Sequence, residues 1–436
     1  MPHALPLDSD RDPVTRYLEL GLALGRHIDG LVDAYTGPAA LAAAAAEGPV
    51  VPAAWLAEAA RRLLADLETG TEPEAGRRHW LAAQVRGLHT TARRLAGEAL
   101  PYVDEVEGCY GVRPRMVAED TMAEAHRLLE AVLPGDGDLR ARYGQWREAQ
   151  AVPVEVLYAA IASLLDDLRE RTDRAFGLPE GEHIDIELVT DRPWSGFNYY
   201  LGGLRSRVAV NVDLPVLSPG LAHLVAHEAY PGHHTEHCRK EVGLVRRRQW
   251  LEETIFLVGT PQCLLAEGLA DLGLEVAVSA DPAERAAMAA AHLRPLGIPF
   301  DTEVAATVAH AAQGLDGVRG NVALLLHEHG ADPDDAVAYA ERWALLPRRR
   351  AQKLVSFLTD PTWRAYITCY VEGLPLCRRF VGGDPARFER LLTDQLTPDQ
   401  LTPAAPAIAD PVADLSTSAS GTESGAMTTT FPLPER

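Results

Sequence analysis

Apolar residues recur at helical spacing through the first 178 residues, with short polar or glycine-containing turns between the repeats. The segments TRYLELGLALGRHIDGLVDAY (15–35) and PVEVLYAAIASLLDDLRERTDRAFG (153–177) show this pattern most clearly. Gly70 and Gly97 follow two further amphipathic runs and are typical of helix ends. The pattern therefore predicts successive helices from residue 12 to about residue 178.

The pattern changes at residue 183. In HIDIELVT (183–190), every second residue is apolar and its neighbours are mostly charged, which predicts a half-buried strand. A stretch rich in Pro, Gly and aromatic residues follows (191–206), and VAVNV (208–212) is a second short β-branched segment. Helical periodicity then resumes to about Phe380. We therefore expect a mainly α protein whose only β region lies around residues 183–212.

Composition predicts one large domain with a flexible segment at each end. The segment 401–436 is rich in Pro, Ala, Ser and Thr, so it cannot bury enough apolar surface to offset the entropy of ordering. We expect a disordered tail there, a flexible N-terminus over 1–11 and a single domain over 12–400. Within that domain, 12–178 would form a helical cover and 183–400 would carry the chemistry.

Charge and cysteine content restrict the function classes. The chain has 62 Asp and Glu against 41 Lys and Arg, a net charge of −21, and such a surface repels nucleic-acid phosphates and anionic membranes. We expect no secretory signal, because the first residues show no basic start followed by an apolar run, and no membrane span, because no apolar run of about 18 residues occurs. The five cysteines are scattered and form no CxxC pair. These features predict a cytoplasmic protein with no membrane or nucleic-acid partner, and leave its oligomeric state open.

The sequence LAHLVAHEAYPGHHTEH contains His227-Glu228, which is similar to the start of the zinc-peptidase motif HExxH. In that motif two imidazoles one turn apart face one ion, and the Glu beside the first acts as the base for the attacking water. Here Pro231 stands where the second His would be, and His233 and His234 follow. On an unbroken helix neither could share an ion with the first His. One would point to the far side, and the other would lie about 10 Å along the axis.

The Pro231-Gly232 pair provides a reason for a break in that helix. Proline cannot donate a backbone hydrogen bond, and glycine tolerates unusual dihedral angles. A break would bring one of the two following histidines back beside His227. We prefer His233 because it directly follows the glycine, and we keep His234 as the alternative. His223 offers a regular pair with His227 on an intact helix, but leaves the adjacent glutamate without a role.

The third ligand is expected from another helix. The segment TPQCLLAEGLADLGLEVA (260–277) is strongly helical, and Glu267 and Asp271 lie one turn apart on one of its faces. Glu267 would bind the metal, and Asp271 would accept the outer N–H of a ligating imidazole and fix its tautomer. The alternative interpretation is a solvated acidic stripe that also includes Glu275. Taken with HEAYPGHH, the spacing favours a zinc site.

HEAYPGHH resembles the HExxPGHH motif of a widespread bacterial domain-of-unknown-function family placed among the gluzincin-type metallopeptidases. The family also carries Glu-Gly followed by a small or aromatic residue and Ala, which is similar to EGLA at 267–270. A third family motif, Tyr-x-x-Gly, matches YVEG at 370–373, although TWRAY replaces the Pro-Gly-Gln-Ala stretch that precedes it in the family. The resemblance runs from about residue 12 to residue 400.

The resemblance implies a large helical fold in which zinc is held by His227, one of the two following histidines, and Glu267. It also implies that Glu228 is the general base and that Tyr370 stabilises the oxyanion. Gluzincins place the edge strand of a short antiparallel sheet beside the metal helix, where an extended substrate can pair with it.

By the same resemblance, VAVNV (208–212) is the expected edge strand. Asn211 is then the first candidate for contact with the substrate. Tyr200 is the second, and Asn198 and Tyr199 would also line the cleft. Packing of the two tyrosines under a loop is an equally good interpretation.

The expected function is therefore zinc-dependent hydrolysis of peptide bonds, in short peptides if the helical cover restricts access to the cleft. Zn²⁺ is the expected cofactor and a peptide is the expected partner. The same residues would also serve a zinc hydrolase of a non-peptide amide or ester. A third interpretation is a non-catalytic helical binding protein with structural histidines.

Overall fold

The structure is a computed structural model that describes residues 11–192 and 194–401. The tail and the flexible N-terminus expected from composition lie outside these residues, apart from Arg11 and Leu401. The prediction of a mainly α protein with a small β region is confirmed. The helices are α1 Pro13–Gly25, α2 Ala39–Glu47, α3 Ala53–Thr69, α4 Ala75–Leu95, α5 Tyr102–Tyr110, α6 Glu119–Val132, α7 Leu139–Ala149, α8 Val154–Phe176, α9 Ser218–Glu228, α10 His233–Lys240, α11 Pro261–Ala277, α12 Pro282–Leu293, α13 Thr302–Leu315, α14 Gly317–His327, α15 Pro333–Trp343, α16 Arg348–Thr359, α17 Ile367–Val381, α18 Pro385–Thr393 and α19 Pro398–Leu401. The strands are β1 Val32–Tyr35, β2 His183–Val189, β3 Gly196–Gly202, β4 Arg205–Asn211 and β5 Ile255–Leu257.

Helix α11 lies at the centre of the largest apolar core. Its residues from Pro261 to Ala270 are all buried, because α17 packs on one side of it and α9 on another. A second core joins α8, α9 and α12 to the strands of the larger sheet. A third core joins α1, α3 and α4 to β5. Because α9 and α11 belong to adjoining cores, side chains on their facing surfaces are held at fixed separations.

The larger sheet is mixed rather than antiparallel, with the strand order β2-β4-β3. β2 runs parallel to β4, and β3 runs antiparallel to it. The prediction that VAVNV forms an edge strand is therefore wrong. β4 is the central strand, because it pairs with β2 on one side and with β3 on the other. Its apolar residues Val208 and Val210 are buried.

The edge strand beside α9 and α10 is β3, with the sequence GFNYYLG. It lies within the β region expected around residues 183–212, but we assigned no separate strand to this stretch because it is rich in glycine and aromatic residues. β3 pairs with β4 from Gly196 to Gly202, with an irregularity after Tyr200. An irregular edge of this kind gives a weak alternation signal in the sequence.

A second, two-stranded sheet formed by β1 and β5 was also not predicted. The helix expected over residues 15–35 ends at Gly25, and a turn leads into β1 at Val32. A Cβ at Gly25 would lie 2.7 Å from Cγ2 of Val32, so the glycine allows the strand to pass close to the helix end. β1 and β5 pair antiparallel, which anchors the N-terminal helices beside α11.

Helices of the length and hydropathy needed to cross a bilayer do not occur within residues 11–192 and 194–401. All five cysteines lie within the described residues and are free and buried.

Candidate metal centre

The helical path is broken between His227 and His233. α9 ends at Glu228, Ala229 leaves the helical region with φ −122° and ψ −90°, and α10 begins at His233. A Cβ at Gly232 would lie 1.9 Å from the carbonyl oxygen of His227, so the chain has room only for glycine there. The Pro-Gly pair thus coincides with a sharp change of direction between the two histidines.

This break brings three ligand-type side chains together. Nε2 of His233 lies 3.1 Å from Nε2 of His227, with the two rings nearly perpendicular. Oε2 of Glu267 lies 3.4 Å from Nε2 of His227, and its Oε1 lies 4.0 Å from Nε2 of His233. Tetrahedral zinc with bonds of about 2.0–2.1 Å separates its ligand atoms by roughly 3.3 Å. The observed separations are therefore of the right size for one shared ion.

Asp271 holds the other nitrogen of His227. Nδ1 of His227 donates to Oδ1 of Asp271 at 2.9 Å, which leaves the Nε2 lone pair directed toward His233 and Glu267. Nε2 of His223 lies 3.3 Å from the same Oδ1, so His223, His227 and Asp271 form a second cation-compatible group. That group uses the opposite nitrogen of His227, and His223 is 48% exposed.

His234, the alternative second ligand, points away from this cluster. Its side chain is fully buried, with Nδ1 2.8 Å from Oγ of Ser206 and Nε2 2.9 Å from Oε2 of Glu182. Both ring nitrogens are therefore occupied by protein partners. Of the two candidates, the structure places only His233 beside His227.

The triad passes a test of fit for a cation. Oε2 of Glu267 is buried and has no hydrogen-bond donor among the described residues. Burial opposes a charge on His227, yet its hydrogen bond to Asp271 and the nearby carboxylate of Glu267 raise its pKa well above the usual value. Burial and the charge of His227 lower the pKa of His233 to about 4. The cluster thus stabilises one positive charge among two imidazoles and a carboxylate, and His₂Glu is a donor set that suits zinc.

Glu228 lies next to the triad at the end of α9. It is buried, and its carboxylate accepts no hydrogen bond from the described residues. Burial raises its pKa to about 7, with further contributions from the nearby carboxylates of Glu267 and Asp33. A Cβ at Gly196 would lie 3.1 Å from Oε1 of Glu228, so the edge strand β3 passes directly over this carboxylate.

Two glycines let α11 and α17 approach each other closely. A Cβ at Gly268 would lie 2.4 Å from the backbone of Gly373, and a Cβ at Gly373 would lie 2.8 Å from the carbonyl oxygen of Leu264. These are the glycines of the Glu-Gly and Tyr-x-x-Gly motifs. Their contact explains why both helices need a residue without a side chain at this crossing.

The close approach places two tyrosines near Glu267. The hydroxyl of Tyr366 donates to Oε1 of Glu267 at 2.9 Å, and the hydroxyl of Tyr370 donates to that of Tyr366 at 3.3 Å. Tyr370 therefore reaches Glu267 only through the hydroxyl of Tyr366, which contacts the triad directly. Sequence reasoning missed Tyr366, because it lies in the TWRAY stretch where the family pattern is not followed.

The expected substrate residue Asn211 has a structural role in this fold. Its side-chain amide donates to the carbonyl oxygens of Arg192 and Trp194, and its oxygen accepts the N–H of Asp213. These three bonds tie the loop before β3 to the end of β4 and satisfy the buried amide. Asn211 therefore does not lie on an exposed edge strand as expected, and its contact with a substrate stays a prediction.

The other three polar or aromatic candidates all lie on β3. Asn198 donates to the carbonyl oxygen of Glu228 at 2.6 Å and fixes the end of α9. Tyr199 packs under the guanidinium group of Arg207. Tyr200 donates to Glu241 and stacks on His237, so it lies beside α10 rather than over the triad.

Asp33 on β1 is a further acid near the triad that no sequence motif marks. It is partly buried, and burial together with Glu267 raises its pKa to about 7. Only the pairing of β1 with β5 brings this residue to α11. The chain contains 62 Asp and Glu residues, and nothing in the sequence around Asp33 distinguishes it from the others.

Comparisons with known proteins do not assign a family. No protein-family model and no curated protein matches the chain. Among solved structures, "the putative lipoprotein from Colwellia psychrerythraea" matches with a TM-score of 0.49 and 15% identity over 79% of this chain, which spans 65% of that chain. "A putative lipoprotein of unknown function from Shewanella oneidensis" matches with a TM-score of 0.43 and 13% identity, over 89% of this chain and 76% of that one. Resemblances this distant carry no argument about function.

Proposed function

We propose that the protein is a zinc-dependent hydrolase that cleaves peptide bonds in short peptides, as its resemblance to gluzincins implies. The convergence of His227, His233 and Glu267 supports this proposal most strongly, together with the Asp271 hydrogen bond that orients His227. Three protein ligands leave a tetrahedral ion one open position, which is the arrangement of catalytic rather than structural zinc sites.

His227, His233 and Glu267 would hold the zinc ion, which when bound would supply Lewis-acid polarisation of the substrate carbonyl and a water of lowered pKa. Glu228 then serves as the general base. Its carboxylate follows His227 in the chain and accepts no hydrogen bond from the described residues, so it is free to take a proton from the attacking water. The same carboxylate returns the proton to the leaving amine.

Tyr370 is the better of the two tyrosines for stabilising the oxyanion. Tyr366 already donates to a carboxylate at 2.9 Å, and its proton is therefore committed. Tyr370 donates only to the neutral hydroxyl of Tyr366, over a longer distance of 3.3 Å. Rotation of the Tyr370 hydroxyl toward a developing negative charge breaks a weaker hydrogen bond.

The edge strand β3 supports a peptide as the substrate. One side of β3 pairs with β4, and no strand in residues 11–192 or 194–401 pairs with its other side. Gly196, at its start, lies beside Glu228. An extended peptide that adds to this edge would have its backbone directed along the strand past the proposed base.

Metal analysis and a matched pair of variants test the proposal. Purified protein should hold about one zinc per chain, and His227→Ala should lose it. Glu228→Gln should retain zinc but lose at least about a thousandfold in turnover of a peptide library. The control Glu180→Gln changes an exposed carboxylate and should leave both unchanged.

Absence of bound zinc, or full turnover by Glu228→Gln, would refute the proposal. Zinc binding without cleavage of any library peptide would instead favour a non-peptide amide or ester as the substrate.

A further inference from the structure

A narrow pocket lies beside the proposed metal centre, between α10, the edge strand β3 and the β1–β5 sheet. Its cavity volume is about 20 Å³, enough for one group the size of a water molecule, within a region of about 430 Å³ that includes the solvent at its mouth. The side chains that matter for its chemistry are those of Glu236, Lys240, Glu253, Gln262, Tyr200 and His237. His237 follows the proposed ligand His233 by four residues on α10, so the pocket lies about 6 Å along the helix from the triad.

Two buried oxygen atoms of this pocket have no hydrogen-bond donor among the described residues. They are Oε2 of Glu236 and Oε1 of Gln262, in side chains whose residues are 1% and 5% exposed. Buried acceptors are almost always satisfied in folded proteins, so two in one pocket indicate a missing donor. Neither residue belongs to the triad or contributes to the proposed proton transfers.

The charges of the pocket specify the kind of donor. Glu241 is already paired with Arg246, which leaves the carboxylates of Glu236 and Glu253 against the single ammonium of Lys240. Nζ of Lys240 lies 2.7 Å from Oε1 of Glu236, which leaves Oε2 unpaired. Burial raises the pKa of both Glu236 and Glu253 in spite of the lysine, as expected where acids outnumber cations. A second cation would therefore be more favourable here than a neutral donor.

The walls of the pocket fit the stem of such a group. The ring of His237 stacks on Tyr200 at 4.7 Å and meets the edge of Phe256 at 5.5 Å. With Ala34 and Val245, these rings give the pocket apolar walls against which methylene groups can pack.

We propose that this pocket binds an ammonium group of the substrate and makes the enzyme selective for peptides with a positive charge near the cleaved bond. The identity of the substrate as a peptide rests on the proposed function. Binding of the cation itself requires neither zinc nor cleavage, so the two proposals can fail separately.

Three small probes distinguish the two sources of such a cation. Nα-acetyl-L-lysine methylamide carries only a side-chain ammonium, L-norleucine methylamide carries only an α-ammonium, and Nα-acetyl-L-norleucine methylamide carries neither. Each is titrated calorimetrically into the full chain bearing Glu228→Gln, which prevents cleavage during the measurement. We expect at least one cationic probe to bind about tenfold or more tighter than the neutral probe. Tighter binding of the lysine probe would indicate that the pocket takes a basic side chain. Tighter binding of L-norleucine methylamide would indicate that it takes the amino terminus of a peptide.

Two variants locate the preference, and a third serves as the control. Glu236→Gln and Gln262→Met should each reduce the cation preference at least about fivefold. Gln262→Met leaves the charge of the pocket unchanged. If Glu236→Gln fails to fold, the result for Gln262→Met alone tests whether the pocket binds the cation. Glu241→Gln should keep the preference, because its carboxylate is already bound by Arg246 and Tyr200.

Equal binding of all three probes would overturn the proposal. So would a preference that survives both test variants, or one that Glu241→Gln removes to the same extent. If the chain holds no zinc and cleaves no peptide but keeps the preference, the pocket stands and the proposed function falls.

Discussion

Replacing Gly232 by alanine tests how strictly the break between α9 and α10 sets the geometry of the proposed metal centre. The added Cβ would lie 1.9 Å from the carbonyl oxygen of His227 and 2.5 Å from that of Ala226, both backbone atoms. Ordinary contact begins near 3.4 Å. The backbone between the two histidines must therefore shift by about 1.5 Å to relieve the first contact alone.

A shift of that size is large compared with what a zinc site tolerates. Metal–ligand distances are held within about 0.2 Å, and the two Nε2 atoms now lie 3.1 Å apart across this turn. We expect Gly232→Ala to weaken zinc binding by about 10- to 100-fold, comparable to the loss of an orienting partner. The same crowding should lower the free energy of unfolding by about 1–3 kcal/mol.

The assay is zinc competition against a chromophoric chelator, together with urea unfolding of the metal-free chain. Gly220→Ala is the matched control, because it lies on α9 and a Cβ there meets nothing within 4 Å. That variant should bind zinc normally and be no less stable, since alanine favours helix over glycine. Normal zinc affinity and stability in Gly232→Ala would refute the geometric argument.

Three further predictions concern the surroundings of the triad. Asp271→Asn should lower zinc affinity about 10- to 100-fold, because His227 loses its orienting carboxylate; an affinity within twofold of the parent would contradict this. Gly268→Ala should cost about 1–3 kcal/mol in urea unfolding, since its Cβ would lie 2.4 Å from the Gly373 backbone, whereas Gly76→Ala, with nothing within 4 Å, should cost nothing. Burial opposes the charge of Glu182, but hydrogen bonds from His234, Tyr230 and Arg169 lower its pKa to about 2. The ionised Glu182 side chain therefore stabilises the folded state fully above pH 4.5, and this stabilisation is lost as the pH falls toward 2. The difference in urea midpoint between the parent and Glu182→Gln should therefore narrow over that range, and a constant difference would refute the assignment.

The mainly helical fold could be predicted from sequence because amphipathic periodicity is a local property. α8, for example, runs from Val154 to Phe176, within one residue of the segment read from its apolar spacing and its terminal Pro and Gly. The strands of the sheets were harder to predict. β1, β3 and β5 are short or irregular. β1 and β5 also pair with each other across a long stretch of the chain. Pairing over such distances depends on packing that local patterns do not encode.

The sequence by itself determined the residue types of the candidate site and part of its geometry. Pro231-Gly232 marked the break, and the four-residue spacing of Glu267 and Asp271 put both acids on one helical face, because both features act within one or two turns. Only the tertiary structure shows that His233 and not His234 lies beside His227, because Glu182 and Ser206 hold the ring of His234.

Tertiary packing also decided which strand lies at the edge and which side chains surround the triad. Tyr366 reaches Glu267 because Gly268 and Gly373 let two helices touch, and Asp33 comes near because β1 pairs with β5. The acceptor oxygens of Glu236 and Gln262 come together from two different helices. Contacts between distant segments follow from how whole elements fill the core, and no local spacing in the chain records that arrangement.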